Sequence, residues 1–132
     1  MKTTFFRIML FLLMSTILTA CGSPTQSQNG SEPIPEVTVE LKTNPEPPTI
    51  GNIELQVDIL DANGQPLEGA TVDVSADHTD MRGMTMSGLA TAQGNGRYAI
   101  TADFSMSGNW KINVYVRTDS LDVMEEFSLI VR

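Results

Sequence analysis

RYAITADFSMSGNWKINVYV, residues 97–116, alternates apolar and polar side chains in two runs. Tyr98, Ile100, Ala102 and Phe104 share one face of the first run; Trp110, Ile112, Val114 and Val116 share one face of the second. A repeat of two belongs to an extended chain, whose successive side chains point to opposite sides. A helix would need apolar residues at i, i+3 and i+4. Ser107-Gly108-Asn109 separates the runs with turn-forming residues. The stretch therefore predicts two strands that meet at one end of a layered β protein. Trp110, the sole tryptophan, is expected to fill the space between the layers.

The same period recurs on either side. VTVEL (37–41) sets Val37, Val39 and Leu41 on one face, and IELQVDI (53–59) does so with Ile53, Leu55, Val57 and Ile59. TVDVS (71–75) alternates around Val72 and Val74. VMEEFSLIV (123–131) offers Val123, Phe127, Leu129 and Val131, with Glu125-Glu126 blurring the pattern at the place for a bulge. Asp61-Ala62-Asn63-Gly64 and Gln93-Gly94-Asn95-Gly96 supply residues that tolerate the positive φ of a tight reversal. Pro45, Pro47 and Pro48 cannot donate ladder bonds, so the 44–51 segment belongs to an edge or a crossover. Alternation over so many short segments predicts an all-β fold: an immunoglobulin-like antiparallel β-sandwich of about seven strands, spanning residues 37–132.

The first twenty residues predict where the protein works. Lys2 and Arg7 precede the apolar run IMLFLLMSTIL (8–18), which has signal-peptide length and is short for a membrane span. Leu18-Thr19-Ala20-Cys21 follows directly and resembles the lipobox of bacterial lipoproteins. That resemblance implies cleavage before Cys21, lipid on its thiol and a protein held on the extracytoplasmic face of the cell membrane or outer membrane. Residues 21–36 are rich in Ser, Gln, Pro and Gly and are expected to form a flexible tether. Fully extended, such a tether reaches at most roughly 50 Å.

Cys21 is the only cysteine, so once lipidated it leaves no thiol for a disulfide, a thiolate metal site or a nucleophile. Removing the leader with Lys2 and Arg7 leaves six basic against sixteen acidic residues, a net charge of −10. That balance argues against nucleic acid as a partner.

Against this background HTDMRGMTM (78–86) stands out. It holds the only histidine, His78, and Met81, Met84 and Met86, three of the five methionines beyond the leader; Met106 is a fourth. Thioether sulfur is soft and uncharged and prefers Cu(I), and imidazole also binds copper. If 84–86 is extended, Met84 and Met86 project from one face, about 7 Å apart at the backbone. Met106 lies in the turn before Trp110 and joins them only if the two segments reach the same end of the sandwich. Methionine also fills gaps in cores, which is the competing reading of the same spacing.

Pro48, Gly51 and the run Asp61, Gly64, Pro66, Gly69, Ala70, Val72 resemble the opening of YtkA-like domains, relatives of FixH-like domains. The likeness continues through His78, Met81, Gly83, Met84 and Met86, then Gly96-Arg97-Tyr98, then Phe104, Met106, Gly108 and Trp110. The resemblance implies a small extracytoplasmic β-sandwich, often found beside copper-handling or cytochrome oxidase assembly proteins of the envelope. Only one histidine is present, which favours Cu(I) over Cu(II).

Enzymatic parts are few. There is one histidine, no free thiol, no G-x-S-x-G and no phosphate loop, so the chain does not read as an enzyme. Asp77 and Asp80 flank His78 as solvated loop charges or as groups that orient its ring. Two functions remain. One is a lipid-anchored domain that binds Cu(I) through His78, Met81, Met84, Met86 and Met106 for copper buffering, delivery or resistance. The other is a metal-free immunoglobulin-like accessory module that binds another envelope protein.

Overall fold

The computed structural model describes residues 37–132. The expected signal peptide (1–20), lipidated Cys21 and linker (21–36) lie outside the described residues. Eight antiparallel strands follow in order: β1 (Val37–Asn44), β2 (Gly51–Asp61), β3 (Thr71–His78), β4 (Thr85–Leu89), β5 (Thr91–Gly94), β6 (Arg97–Phe104), β7 (Gly108–Arg117) and β8 (Asp122–Val131). They form two four-stranded sheets, ordered β1-β2-β6-β5 and β4-β3-β7-β8. The first order is that of one immunoglobulin sheet; the second is its three-stranded partner with β4 added at the edge.

The strand count exceeds the expected seven because residues 85–94 make two strands. β4 pairs with β3, from Asp73↔Leu89 to Asp77↔Thr85, and β5 pairs with β6 in the other sheet. The chain changes sheets at Ala90, whose N–H donates to the Val72 carbonyl at 2.8 Å. Thr85, Ser87 and Gly88 look poor for a core strand, yet an edge strand needs only one bonded neighbour and one half-buried face. Met86 and Gly88 are half-buried and alternate with exposed Thr85, Ser87 and Leu89.

The alternating residues build the core. Ile53, Leu55, Val57 and Ile59 on β2 are fully buried, as are Ile112, Val114 and Val116 on β7. Trp110 lies between the layers, edge-on to Phe104 with centroids 4.9 Å apart. The expected bulge at Glu125-Glu126 is not there. β8 keeps unbroken register with β7 from Arg117↔Asp122 to Gly108↔Val131. Glu125 keeps its place in the half-buried row of Val123, Phe127 and Leu129. On this edge strand a carboxylate can sit at the rim of the inner face without being sealed from water.

The Pro-rich segment joins β1 and β2 within one sheet and closes the barrel-like seam at the C-terminus: Arg132 N–H donates to the Pro48 carbonyl, and Ile50 N–H donates to the Arg132 carbonyl. At the opposite end Tyr98 reaches the β2–β3 connection. Its hydroxyl accepts from Ala70 N–H at 3.1 Å and donates to the Leu67 carbonyl at 3.0 Å. Both backbone groups would otherwise lack partners in a partly buried corner.

Outside the first sheet, Asp58 bridges Arg97 at 2.6 Å and Lys42 at 2.7 Å. The hydrogen bond from Arg97, aided by Lys42, holds the Asp58 carboxyl down at about 2, against an ordinary value of 3.8. Because the folded-state value is depressed, the stabilisation is complete above about pH 4 and is lost as pH falls through about 2. Both cations are about half exposed. Solvent screening therefore leaves a contribution of about 1–2 kcal/mol. Between pH 7 and pH 2, urea unfolding should show a larger loss of stability in the natural protein than in Asp58→Asn, the excess being this contribution. Equal acid sensitivity in the two would remove Asp58 as the cause.

Candidate functional site

Two turns meet at one end of the sandwich. The β3–β4 turn, residues 79–84, carries Met81 and Met84, and the β6–β7 connection, residues 105–107, carries Met106. The β6–β7 connection crosses from one sheet to the other, which brings its backbone against the end of β3. Thr79 N–H donates to the Asn109 carbonyl at 2.9 Å, and the Thr79 hydroxyl donates to the same oxygen at 3.1 Å. The segment 78–86 thus reaches the end of the molecule where the 104–110 turn lies.

Met84 and Met86 sit side by side. Both are half-buried against the core, and both line a notch of about 210 Å³ with Gly83, Thr85, Asp103, Ser105 and Trp110. Met86 also lines a second opening of about 170 Å³ between the sheets, beside Leu55, Ile100 and Asp103. Met106 is half-buried one residue beyond Ser105, and its carbonyl accepts from Trp110 Nε1 at 3.3 Å. Met81 is exposed on the loop. The structure therefore brings Met84 and Met86 to one notch, leaves Met106 outside the notch lining on the neighbouring turn, and leaves Met81 facing solvent.

His78 ends β3 and is only 8% exposed. Its ring meets Trp110 edge-on, with centroids 4.9 Å apart. Nδ1 accepts from Asp80 N–H and Nε2 lies against the Ser107 carbonyl, each at 3.2 Å. A backbone N–H only donates and a carbonyl only accepts, so Nε2 carries the proton. The Asp80 backbone, rather than either flanking carboxylate, orients the ring. Asp77 is occupied on the outer face, where it accepts from the Thr85 hydroxyl at 2.6 Å. Gly108 has φ +133°, and a Cβ there would fall 2.6 Å from His78 Nε2, so glycine lets the arch close over the ring.

The sequence does not single out Asp103 and Ser105. Asp103 occupies an ordinary outward position on β6, and nothing in the period-two pattern marks it as facing a notch. Only the position of the β3–β4 turn and β4 puts Met84 and Met86 at the same notch.

Among the described residues, no three or more of His, Cys, Asp and Glu are grouped to hold a metal ion. The donors gathered at this end are thioethers, which suit a soft monovalent cation and not a hard divalent one. Two methionine side chains, Met84 and Met86, share the notch.

Fold and site together define a small immunoglobulin-like sandwich with a methionine-lined notch at one tip. A family model described as YtkA-like matches residues 32–115, and the chain belongs to that family. Its structure is similar to the crystal structure of the PmoD soluble domain from Methylocystis sp. ATCC 49242 (Rockwell). The TM-score is 0.51 at 11% sequence identity, over 73% of this chain and 90% of that one. At that identity the likeness concerns the fold. No curated protein matches the chain.

Proposed function

We propose that this YtkA-like protein is a lipid-anchored extracytoplasmic domain that binds Cu(I) at its methionine tip, for copper buffering, delivery or resistance. Met84 and Met86 supply the central sulfurs, Met106 and Met81 flank them on the two turns, and His78 stands at the junction of those turns. The supporting observation is that Met84 and Met86 line one notch beside Trp110, Asp103 and Ser105. Neutral thioethers bind a monovalent soft ion without the cost of burying anionic ligands. Lipid on Cys21 holds the domain at the cell membrane or outer membrane. Its expected partner is a copper-handling or oxidase-assembly protein of the envelope.

Competition with a chromogenic Cu(I) chelator under reducing conditions tests the reading. The detergent-extracted protein is expected to take up about one equivalent. Met84→Leu with Met86→Leu is expected to weaken binding at least about tenfold, or 1.4 kcal/mol. Leucine keeps most of the packing volume, so stability should change by less than about 1.5 kcal/mol. Unchanged affinity in the leucine variant would reject these ligands. Lack of uptake by the natural protein would favour the metal-free accessory reading, which draws support from the packing of Met84 and Met86 against the core. Mass spectrometry of membrane-extracted protein checks the anchor: a diacylated Cys21 at the mature N-terminus is expected, and an intact leader or an unmodified thiol counts against it.

A further inference from the structure

We infer that His78 is a positioning residue of the thioether site and not one of its ligands, an inference that rests on the copper reading above. An imidazole binds a metal through an unprotonated nitrogen. In His78 that nitrogen is Nδ1, and its lone pair accepts from Asp80 N–H. The other nitrogen donates to the Ser107 carbonyl. Gly108 lies against the Nε2 side so closely that even a methyl group would not fit, and Trp110 covers the ring edge-on. Turning the ring toward the methionines would break both hydrogen bonds and the edge-on contact with Trp110.

What His78 does hold is the pair of methionine-bearing turns. Its backbone N–H donates to the Met84 carbonyl at 3.0 Å, which closes the β3–β4 turn. Its ring pins Ser107, the residue after Met106. Trp110, stacked edge-on to the same ring, holds the Met106 carbonyl. The His78 main chain thus fixes the Met84 turn while its ring fixes the Ser107 turn, so this residue ties Met106 to the strand end that carries Met84. Groups that orient metal ligands without touching the metal typically change affinity about 10- to 100-fold when removed.

Because His78 is the only histidine, ¹⁵N-histidine labelling of the full-length detergent-extracted protein gives one pair of ring nitrogens. Methionine methyl groups carry a ¹³C label in the same sample. Ag(I), a redox-inert monovalent probe, is added to one equivalent. The expected result is that methyl signals of the site methionines move while the ring stays in the Nε2–H form, with no silver–nitrogen splitting. His78→Gln is expected to weaken Cu(I) binding about tenfold, with the methyl signals still responding at saturation. Silver–nitrogen splitting, or loss of the Nε2 proton on loading, overturns this inference and leaves the copper reading standing. A folded His78→Gln protein of unchanged affinity also overturns it. Absence of any methyl response or uptake overturns the copper reading and this inference with it. Should His78→Gln fail to fold, the ring signals of the natural protein still decide between ligand and positioning residue.

Discussion

Replacing Gly96 with alanine is expected to destabilise the domain by about 3 kcal/mol or more. Gly96 is buried in the β5–β6 turn at φ +69°, and a Cβ there would lie 2.5 Å from the Ile59 carbonyl oxygen. The Leu67 nitrogen and Pro66 Cα would each be 3.0 Å away. All three are main-chain atoms, so no side chain can swing aside to make room. The backbone that would have to move is bonded on both sides: Ile59 N–H donates to the Gly96 carbonyl at 2.8 Å, and the Ile59 carbonyl accepts from Leu67 N–H at 2.9 Å. Gly96 N–H donates to Glu68 Oε1 at 3.0 Å, a bond that any shift would also strain. For a domain of this size the loss corresponds to a fall in Tm of about 12–24 °C. Thermal unfolding followed by circular dichroism checks it, and a fall of under 4 °C would mean that the 59–67 hairpin yields easily. Gly64, with nothing near its missing Cβ, serves as the comparison, since alanine there meets only the φ penalty.

The second large effect is expected at Trp110, where Trp110→Ala should cost about 3–5 kcal/mol. The indole is 2% exposed and fills the gap between the sheets. Its removal leaves a cavity in a close-packed interior, beside the notch lined by Met84 and Met86. Phe104 and His78 both lose their edge-on partner, and the Met106 carbonyl loses its donor. Trp110→Phe should recover part of the packing but not the bond to Met106. Urea unfolding gives the stability. The copper reading adds a second expectation: Trp110→Phe weakens Cu(I) binding although the fold persists, because the turn that carries Met106 is released. A change below about 1 kcal/mol in Trp110→Ala would show that the indole does not fill the interlayer gap.

Much of this architecture is legible from residue order alone because a strand has the simplest of periodicities. Ile53, Leu55, Val57 and Ile59 alternate with Glu54, Gln56 and Asp58, and burial follows that alternation along β2. The short polar stretch 85–94 carries a weaker pattern. Thr91–Gly94 is exposed throughout, so its sequence carries no inward face and its strand exists only through backbone bonds to β6. Glu125 misled in the opposite direction: a charged residue in an inward row suggested a bulge, whereas the sheet edge keeps it near water and the register continuous.

At the tip, the spacing of Met84 and Met86 already placed them on one face, and both line one notch. The surroundings of His78 were not readable in the same way. Its ring partners, the Asp80 N–H and the Ser107 carbonyl, are main-chain groups, and every residue type offers them.

The sequence by itself determined which side chains turn inward, where the chain reverses and which residue types gather in the 78–86 and 104–110 segments. Those are properties of local alternation and of turn chemistry, and each is set within a few residues. The tertiary structure decided which strands become neighbours, that the chain changes sheets at Ala90 and again between Phe104 and Gly108, and that His78 is enclosed beneath Gly108 rather than open at the surface. Backbone hydrogen bonds are nearly indifferent to side-chain identity, so the choice of partner strand is settled only when the two layers close on a common core.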